Sequence, residues 1–202
     1  MKLIGMLDSP YVRRVAISLQ LLDLPFEHQS LSVFRTFDEF SRINPVVKAP
    51  TLVCEDGTVL MDSTLILQYA EALAQSRSLL PSDPSALAQA LRTTGLALAA
   101  CEKAVQIVYE RGLRPAEKQH EPWVERVTAQ LLAACDGLEQ APPTCMDQAG
   151  VSAAVVWEFI QKMVPDAVPA VRCPQLVAFS QAAEAQPAFR AAPHGDTTYR
   201  SA

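Results

Sequence analysis

The 202-residue sequence contains no pair of cysteines at metal-binding or redox spacing. Its five cysteines, Cys54, Cys101, Cys135, Cys145 and Cys173, are odd in number, widely separated and free of any CxxC, which argues for reduced, mostly buried thiols. The three histidines, His28, His120 and His194, lie far from one another and from any cysteine pair, so no metal is assigned. Clustered basic charge is also missing: 17 Lys and Arg are interspersed with 22 Asp and Glu for a net charge of -5, which argues against a nucleic-acid partner. No apolar run approaches the ~20 residues that cross a bilayer, and no charged leader precedes an apolar segment. The expectation is a cytoplasmic protein without a membrane partner. Neither an internal repeat nor a low-complexity array is present.

What is present suffices for a core. Half of the residues are hydrophobic, and 202 residues allow one large or two small domains. Lys2 to Met6 reads as a buried strand, followed by Ser9 as a helix cap, Pro10 as the first helical residue, and a stripe of Val12, Val15, Ala16, Leu19 and Leu22. Phe26 to Leu31 alternates as a second strand, giving a βαβ opening, and Phe34 to Ile43 is a connector with a short helical turn. Thr51 to Cys54 and Val59 to Met61 form a hairpin closed by Glu55-Asp56-Gly57, and Asp62-Ser63 opens a helix reaching about Gln75. Pro50 cannot donate to a sheet ladder, so it marks the first residue of its strand or a cis turn.

Beyond the proline-containing stretch 77–84, a linker, no strand pattern recurs. A long Ala- and Leu-rich helix runs from Ser85 to about Arg111, with Gly95 marking a close helix contact in preference to a break. Helices follow over Pro122 to Leu138, Gln148 to Met163 and about Cys173 to Ala185. The Thr144-x-x-Asp147 spacing predicts a capping box in which the threonine oxygen accepts from the amide three residues on. A serine that opens a helix caps an orphan amide, and the same helix end attracts anions; for Asp62-Ser63 taken alone the cap is the better reading.

The order βαβ, connector, ββα and then an all-helical half resembles the soluble glutathione transferase superfamily. Ser9-Pro10-Tyr11-Val12-Arg13-Arg14 is similar to the first-helix start of serine-type bacterial members, and Asn44-Pro45-Val46-Val47-Lys48-Ala49-Pro50 to the family's NPxGKVP segment with its cis proline. Asp62-Ser63 matches the [ED]-S pair, Leu79-Leu80-Pro81 the linker, Thr144-x-x-Asp147 the capping box, and Gln186 to Arg190 the C-terminal RPAF segment. The resemblance implies a thioredoxin-like α/β domain with a mixed four-stranded sheet at 1–76, a linker at 77–84 and an all-α domain at 85–202.

It also implies a function: conjugation of the glutathione thiolate to a small hydrophobic electrophile, with glutathione as co-substrate, no metal, and a homodimer. Position by position, the backbone of Ala49 before cis-Pro50 pairs with the cysteinyl unit, and Lys48 lies near the glycyl carboxylate. Asp62 and Ser63 take the γ-glutamyl end, and the Ser9 hydroxyl points at the sulfur. Tyr11 is the alternative hydroxyl, but one turn into the helix it packs or lines the substrate mouth.

The second substrate is expected between the domains, with Met6, Leu7, Phe34, Val105 and Tyr109 as candidate walls; core packing is the competing reading, favoured for Val105. Val47 replaces the usual glycine and removes backbone freedom, Ala49 replaces valine, and Asp8 places a negative charge beside Ser9. Two further readings stay open: a glutathione-dependent reductase or peroxidase, which more naturally carries a cysteine where Ser9 stands, and a non-catalytic member that uses the fold as a binding module.

Overall fold

A computed structural model describes residues 1–199. Its strands are three residues each: β1 Lys2–Ile4, β2 Glu27–Gln29, β3 Thr51–Val53 and β4 Val59–Met61, in the order β2-β1-β3-β4. β1 pairs in parallel with β2 and antiparallel with β3, and β3 antiparallel with β4. β1 is central, and Leu3 and Ile4 are both fully buried although they point to opposite faces, as expected where both faces are covered. The helices of this unit are α1 Pro10–Leu21, α2 Phe37–Ile43 and α3 Ser63–Leu73. On one face Ile4, Leu31 and Phe40 form a cluster against which Val33, Ile43, Val47, Ala49 and Val53 pack.

The chain divides into two compact units, one made of Met1–Leu79 together with the segment from Ala185 onward, the other of Leu80–Glu184. This corrects the expectation of a helical half running from residue 85 to the end of the chain. The reason is the buried Arg13 on α1, whose Nε donates to the Ala192 carbonyl at 2.7 Å and whose guanidinium lies 5.7 Å from the ring centre of the fully buried Phe189. Gln20 Nε2 donates to the Ala188 carbonyl at 3.0 Å, so a short helix α8, Pro187–Ala191, which no periodicity predicted, is tied to α1. Further on, Tyr199 stacks on Phe26 at 4.5 Å and its amide donates to His28 Nδ1 at 2.9 Å.

The second unit contains α4 Pro84–Leu113, α5 Glu121–Gln140, α6 Gln148–Met163 and α7 Pro174–Glu184, with short 3-10 turns at Ala116–Lys118 and Ala170–Arg172. α4 is capped by Asp83, whose Oδ1 accepts from the Ala86 amide at 2.8 Å, and it buries a stripe of small residues, Ala90, Thr94, Ala97, Ala100, Cys101 and Ala104, that lets α5 and α6 approach closely. α6 is the buried centre of this unit. Its cap is Asp147, whose Oδ1 accepts from the Gly150 amide at 2.9 Å, and not Thr144 as the capping-box spacing predicted. A side chain at Gly150 would collide with the Cys145 carbonyl, so the first turn of α6 is packed against the backbone that enters it. Gly95 corrects another expectation, since it is exposed and a Cβ there would meet nothing within 4 Å; the tight glycine of this pair of helices is Gly137, where a Cβ would come within 3.1 Å of Leu96.

His28 generates a prediction about pH. Its Nδ1 accepts from the Tyr199 amide, so the ring proton sits on Nε2, which donates to the Gly5 carbonyl at 2.7 Å. Burial lowers its pKa from the ordinary 6.5, against the raising effect of the Gly5 carbonyl. Below pH 6.5 the unfolded chain therefore holds a proton that the folded chain does not, so His28's contribution is complete above about pH 6.5 and is lost as pH falls toward the lower folded value. In His28→Ala, thermal unfolding should show a smaller loss of Tm between pH 7.5 and 5.5 than in the parent, together with a loss of about 1–3 kcal/mol at pH 7.5 from the two missing hydrogen bonds. Parallel pH profiles for the two proteins would contradict this assignment.

Candidate functional site

The chemistry gathers at one end of the sheet. Ile4 pairs with Thr51 and Thr51 with Met61, so one step further along the ladder Gly5, Pro50 and Asp62 stand side by side. Each is followed or preceded by a residue singled out in the sequence: Ala49 before Pro50, Ser63 after Asp62, and Ser9 at the far end of the loop that leaves β1. Gly5 allows this convergence. Its φ of +134° is one that residues with side chains rarely adopt, and a Cβ there would lie 2.6 Å from Val12 Cγ2 and 3.2 Å from Ala49 Cβ. The start of α1 and the Ala49 loop thus meet over a residue with no side chain.

The peptide between Ala49 and Pro50 is cis, as the resemblance implied. A compact network holds the loop that carries it: Asn44 Nδ2 donates to Thr51 Oγ1 at 2.8 Å, Thr51 Oγ1 donates to the Lys48 carbonyl at 2.7 Å, and Asn44 Oδ1 accepts from the Val46 amide at 3.0 Å. Asn44 and Thr51 are both buried. Among the described residues no hydrogen bond takes up the amide or carbonyl of Ala49, which leaves a strand-like backbone edge open to an extended ligand. Val47 keeps a φ of +52° despite its branched side chain, at a cost of about 1–2 kcal/mol, so the loop holds a glycine-like bend without the glycine. Its side chain packs on the Phe40 cluster. Lys48 is exposed.

Asp62 caps α3, its Oδ1 accepting from the Thr64 amide at 2.9 Å at a φ of +72°. Ser63 is then the first residue of α3, and its amide has no carbonyl one turn back to donate to. Its hydroxyl accepts from Arg14 Nη1 at 3.1 Å, a contact the sequence did not disclose. Ser9 caps α1, its Oγ accepting from the Val12 amide at 3.4 Å; a hydroxyl that accepts through a lone pair still has its hydrogen to donate. Desolvation pushes the Asp8 carboxyl above its usual range, with His194 and the Arg35 guanidinium pulling it back and Asp196 reinforcing the rise. Burial thus disfavours the charged form of Asp8 beside Ser9, and the Arg35 guanidinium acts against that rise.

Of the candidate second-substrate walls, Leu7 is fully buried in the core of the first unit and offers no surface, which removes it. Met6 and Tyr11 are half-buried and Phe34 is 55% exposed, all on the first unit; Val105, half-buried, and Tyr109, 44% exposed, lie on α4 of the other. Among the described residues no group of three or more His, Cys, Asp or Glu could hold a metal ion, and no helix is long and apolar enough to cross a membrane.

Comparison with known proteins converges on one family. Residues 3–78 match the model of the glutathione S-transferase N-terminal domain. The chain is 30% identical over 139 residues to the uncharacterized GST-like protein YibF of Escherichia coli strain K12, covering 69% of this chain and 68% of that one. Glutathione S-transferase U4 of Arabidopsis thaliana is 32% identical over 90 residues, 45% of this chain but only 40% of the plant protein. Among solved structures, a glutathione S-transferase of Methylobacterium radiotolerans in complex with glutathione sulfonate superposes with a TM-score of 0.88 at 26% identity, covering 100% of this chain and 98% of that one. A glutathione transferase family member of Pseudomonas fluorescens Pf-5 with bound glutathione gives 0.84 at 29% identity, over 95% and 97% of the two chains.

The Asn44 network yields a direct test of what holds the Ala49 loop. Asn44→Ala removes the donor to Thr51 and the acceptor of the Val46 amide, and is expected to lower the unfolding free energy by about 1–3 kcal/mol in urea. An unchanged midpoint would show that the loop is held by other means.

Proposed function

Because the chain belongs to the glutathione S-transferase family, we propose that it binds glutathione and transfers its thiolate to a small apolar electrophile. The observation that carries this reading is the convergence of Ala49–Pro50, Asp62–Ser63 and Ser9 at one end of the sheet, each with an unused hydrogen-bonding group. The cysteinyl unit lies extended along Ala49 and pairs with its amide and carbonyl as an added strand. The γ-glutamyl carboxylate sits on the Ser63 amide and hydroxyl, where the helix terminus favours negative charge, and Asp62 faces the ammonium group. Lys48, exposed on the same loop, faces the glycyl carboxylate.

Ser9 then donates to the sulfur. A hydrogen bond to the charged form lowers a thiol's pKa, each unit corresponding to about 1.4 kcal/mol, and the thiolate is the nucleophile. Ser9 itself forms no covalent bond and needs no base. The burial that disfavours the charged form of Asp8 supports the same outcome by limiting the repulsion that Asp8 exerts on a thiolate. A reductase working through a thiol of its own fits less well, because serine and not cysteine stands at position 9. Burial pushes the Cys135 thiol up to about 12 and the Cys173 thiol up to about 11, and Cys145 is also raised by desolvation. The electrophile meets Met6, Tyr11 and Phe34 of the first unit, and the reading carries with it the homodimer and the cytoplasmic location that the resemblance implies.

The Ser9→Ala variant separates catalysis from binding. With a panel of aryl halides, epoxides and enones, kcat/KM should fall about 10- to 100-fold, the worth of a hydrogen bond to a charged group, while glutathione affinity stays nearly constant. Conjugation by the parent that is indifferent to Ser9→Ala would remove Ser9 from the mechanism; binding without conjugation of any electrophile in the panel would favour a binding module.

A further inference from the structure

We infer that Arg14, buried behind α3, is a positioning residue that fixes the Ser63 hydroxyl as a hydrogen-bond donor toward the γ-glutamyl carboxylate; the inference rests on the proposed glutathione reading. Arg14 is 3% exposed and sits on α1, 49 residues from Ser63 in the chain. Its Nη1 lies 3.1 Å from Ser63 Oγ and 3.4 Å from Thr64 Oγ1. A guanidinium has five donors and no acceptor, so both hydroxyl oxygens can only accept from it. Each hydroxyl hydrogen must therefore point away from Arg14.

For Ser63 that constraint selects a role. Among the described residues no hydrogen bond takes its hydroxyl hydrogen, and its amide is the first of α3. With one lone pair held from behind, the hydroxyl presents a hydrogen and the backbone presents another, both from one residue at a helix start. That pair is a fixed two-donor site for a carboxylate, with a permanent positive charge at its back that raises the field at the anion. Without Arg14 the same hydroxyl would rotate freely and could offer its lone pairs instead. Both contacts come from the one Nη1, and a lysine at 14 would carry the charge as a compact, strongly hydrated ammonium on a flexible stem and not as a planar group held in one orientation.

The experiment compares two ligands on the full chain by isothermal titration: glutathione, and 4-aminobutyryl-cysteinyl-glycine, which is glutathione without the γ-glutamyl carboxylate. Arg14→Lys and Arg14→Gln should each weaken glutathione about 10- to 100-fold, as expected for a hydrogen bond to a charged group, and leave the decarboxylated analogue within about twofold. In a Ser63→Ala background the same changes should have little further effect, because the two residues act through one hydroxyl. If neither variant folds, the parent alone decides: guanidinium resonances of Arg14 should shift on binding glutathione and stay in place with the analogue. Equal weakening of both ligands, full effect in the Ser63→Ala background, or unchanged affinity would overturn the inference while leaving the glutathione reading intact. A parent that binds neither ligand overturns both.

Discussion

Two adjacent buried cations on α1 set the constraint on which the first unit depends. Arg13 and Arg14 are 1% and 3% exposed, and a guanidinium stays charged at any ordinary pH. Burying such a group is costly except where partners take up most of its donors, and consecutive helical residues point about 100° apart. The two side chains therefore leave α1 in different directions. Arg13 draws the segment after Ala185 onto α1 through the Ala192 carbonyl and the Phe189 ring, and Arg14 reaches the hydroxyls that open α3. One helix thus ties down both the segment around Phe189 and Ala192 and the start of α3.

The sheet supplies the complementary constraint. Its strands are only three residues long, so the register pairs that join β1 to β3 and β3 to β4 determine which residues stand together where the ladder ends. Gly5, Pro50 and Asp62 occupy those places. Three positions in this region bear backbone dihedrals that disfavour their side chains or demand none: Asp62, Val47 and Gly5. Unfavourable dihedrals of this kind persist where surrounding structure over-determines them, and here they surround the open backbone edge of Ala49. The Asn44 and Thr51 network supplies that over-determination for the Val47 loop.

Much of this was legible from residue order. The Ser9-Pro10 helix start, the hairpin, the α6 span of Gln148–Met163 and the cis bond before Pro50 follow from cap and turn chemistry or from the family resemblance, because each is set by residues a few positions apart. What escaped depends on distant partners. Nothing local announces that Arg13 will meet Ala192, 179 residues away, so the final segment was assigned to the helical half. Arg14 was visible as part of a motif but not as the neighbour of Ser63. Leu7 sits in a loop whose composition suits a pocket wall, yet it points into the core. Gly95 and Thr144 failed for a related reason: a glycine in a helix and a Thr-x-x-Asp spacing both have two structural meanings, and packing selects between them.

The central claim is that an extended tripeptide thiol lies along Ala49 with its acidic end on Ser63, and backbone amide exchange followed by NMR reads it most directly. On saturation with glutathione, the account predicts that the Ala49 and Ser63 amides gain protection from solvent exchange, while amides of α6, already buried, are unchanged. Saturating glutathione that leaves both amides exchanging as in the free protein would contradict it.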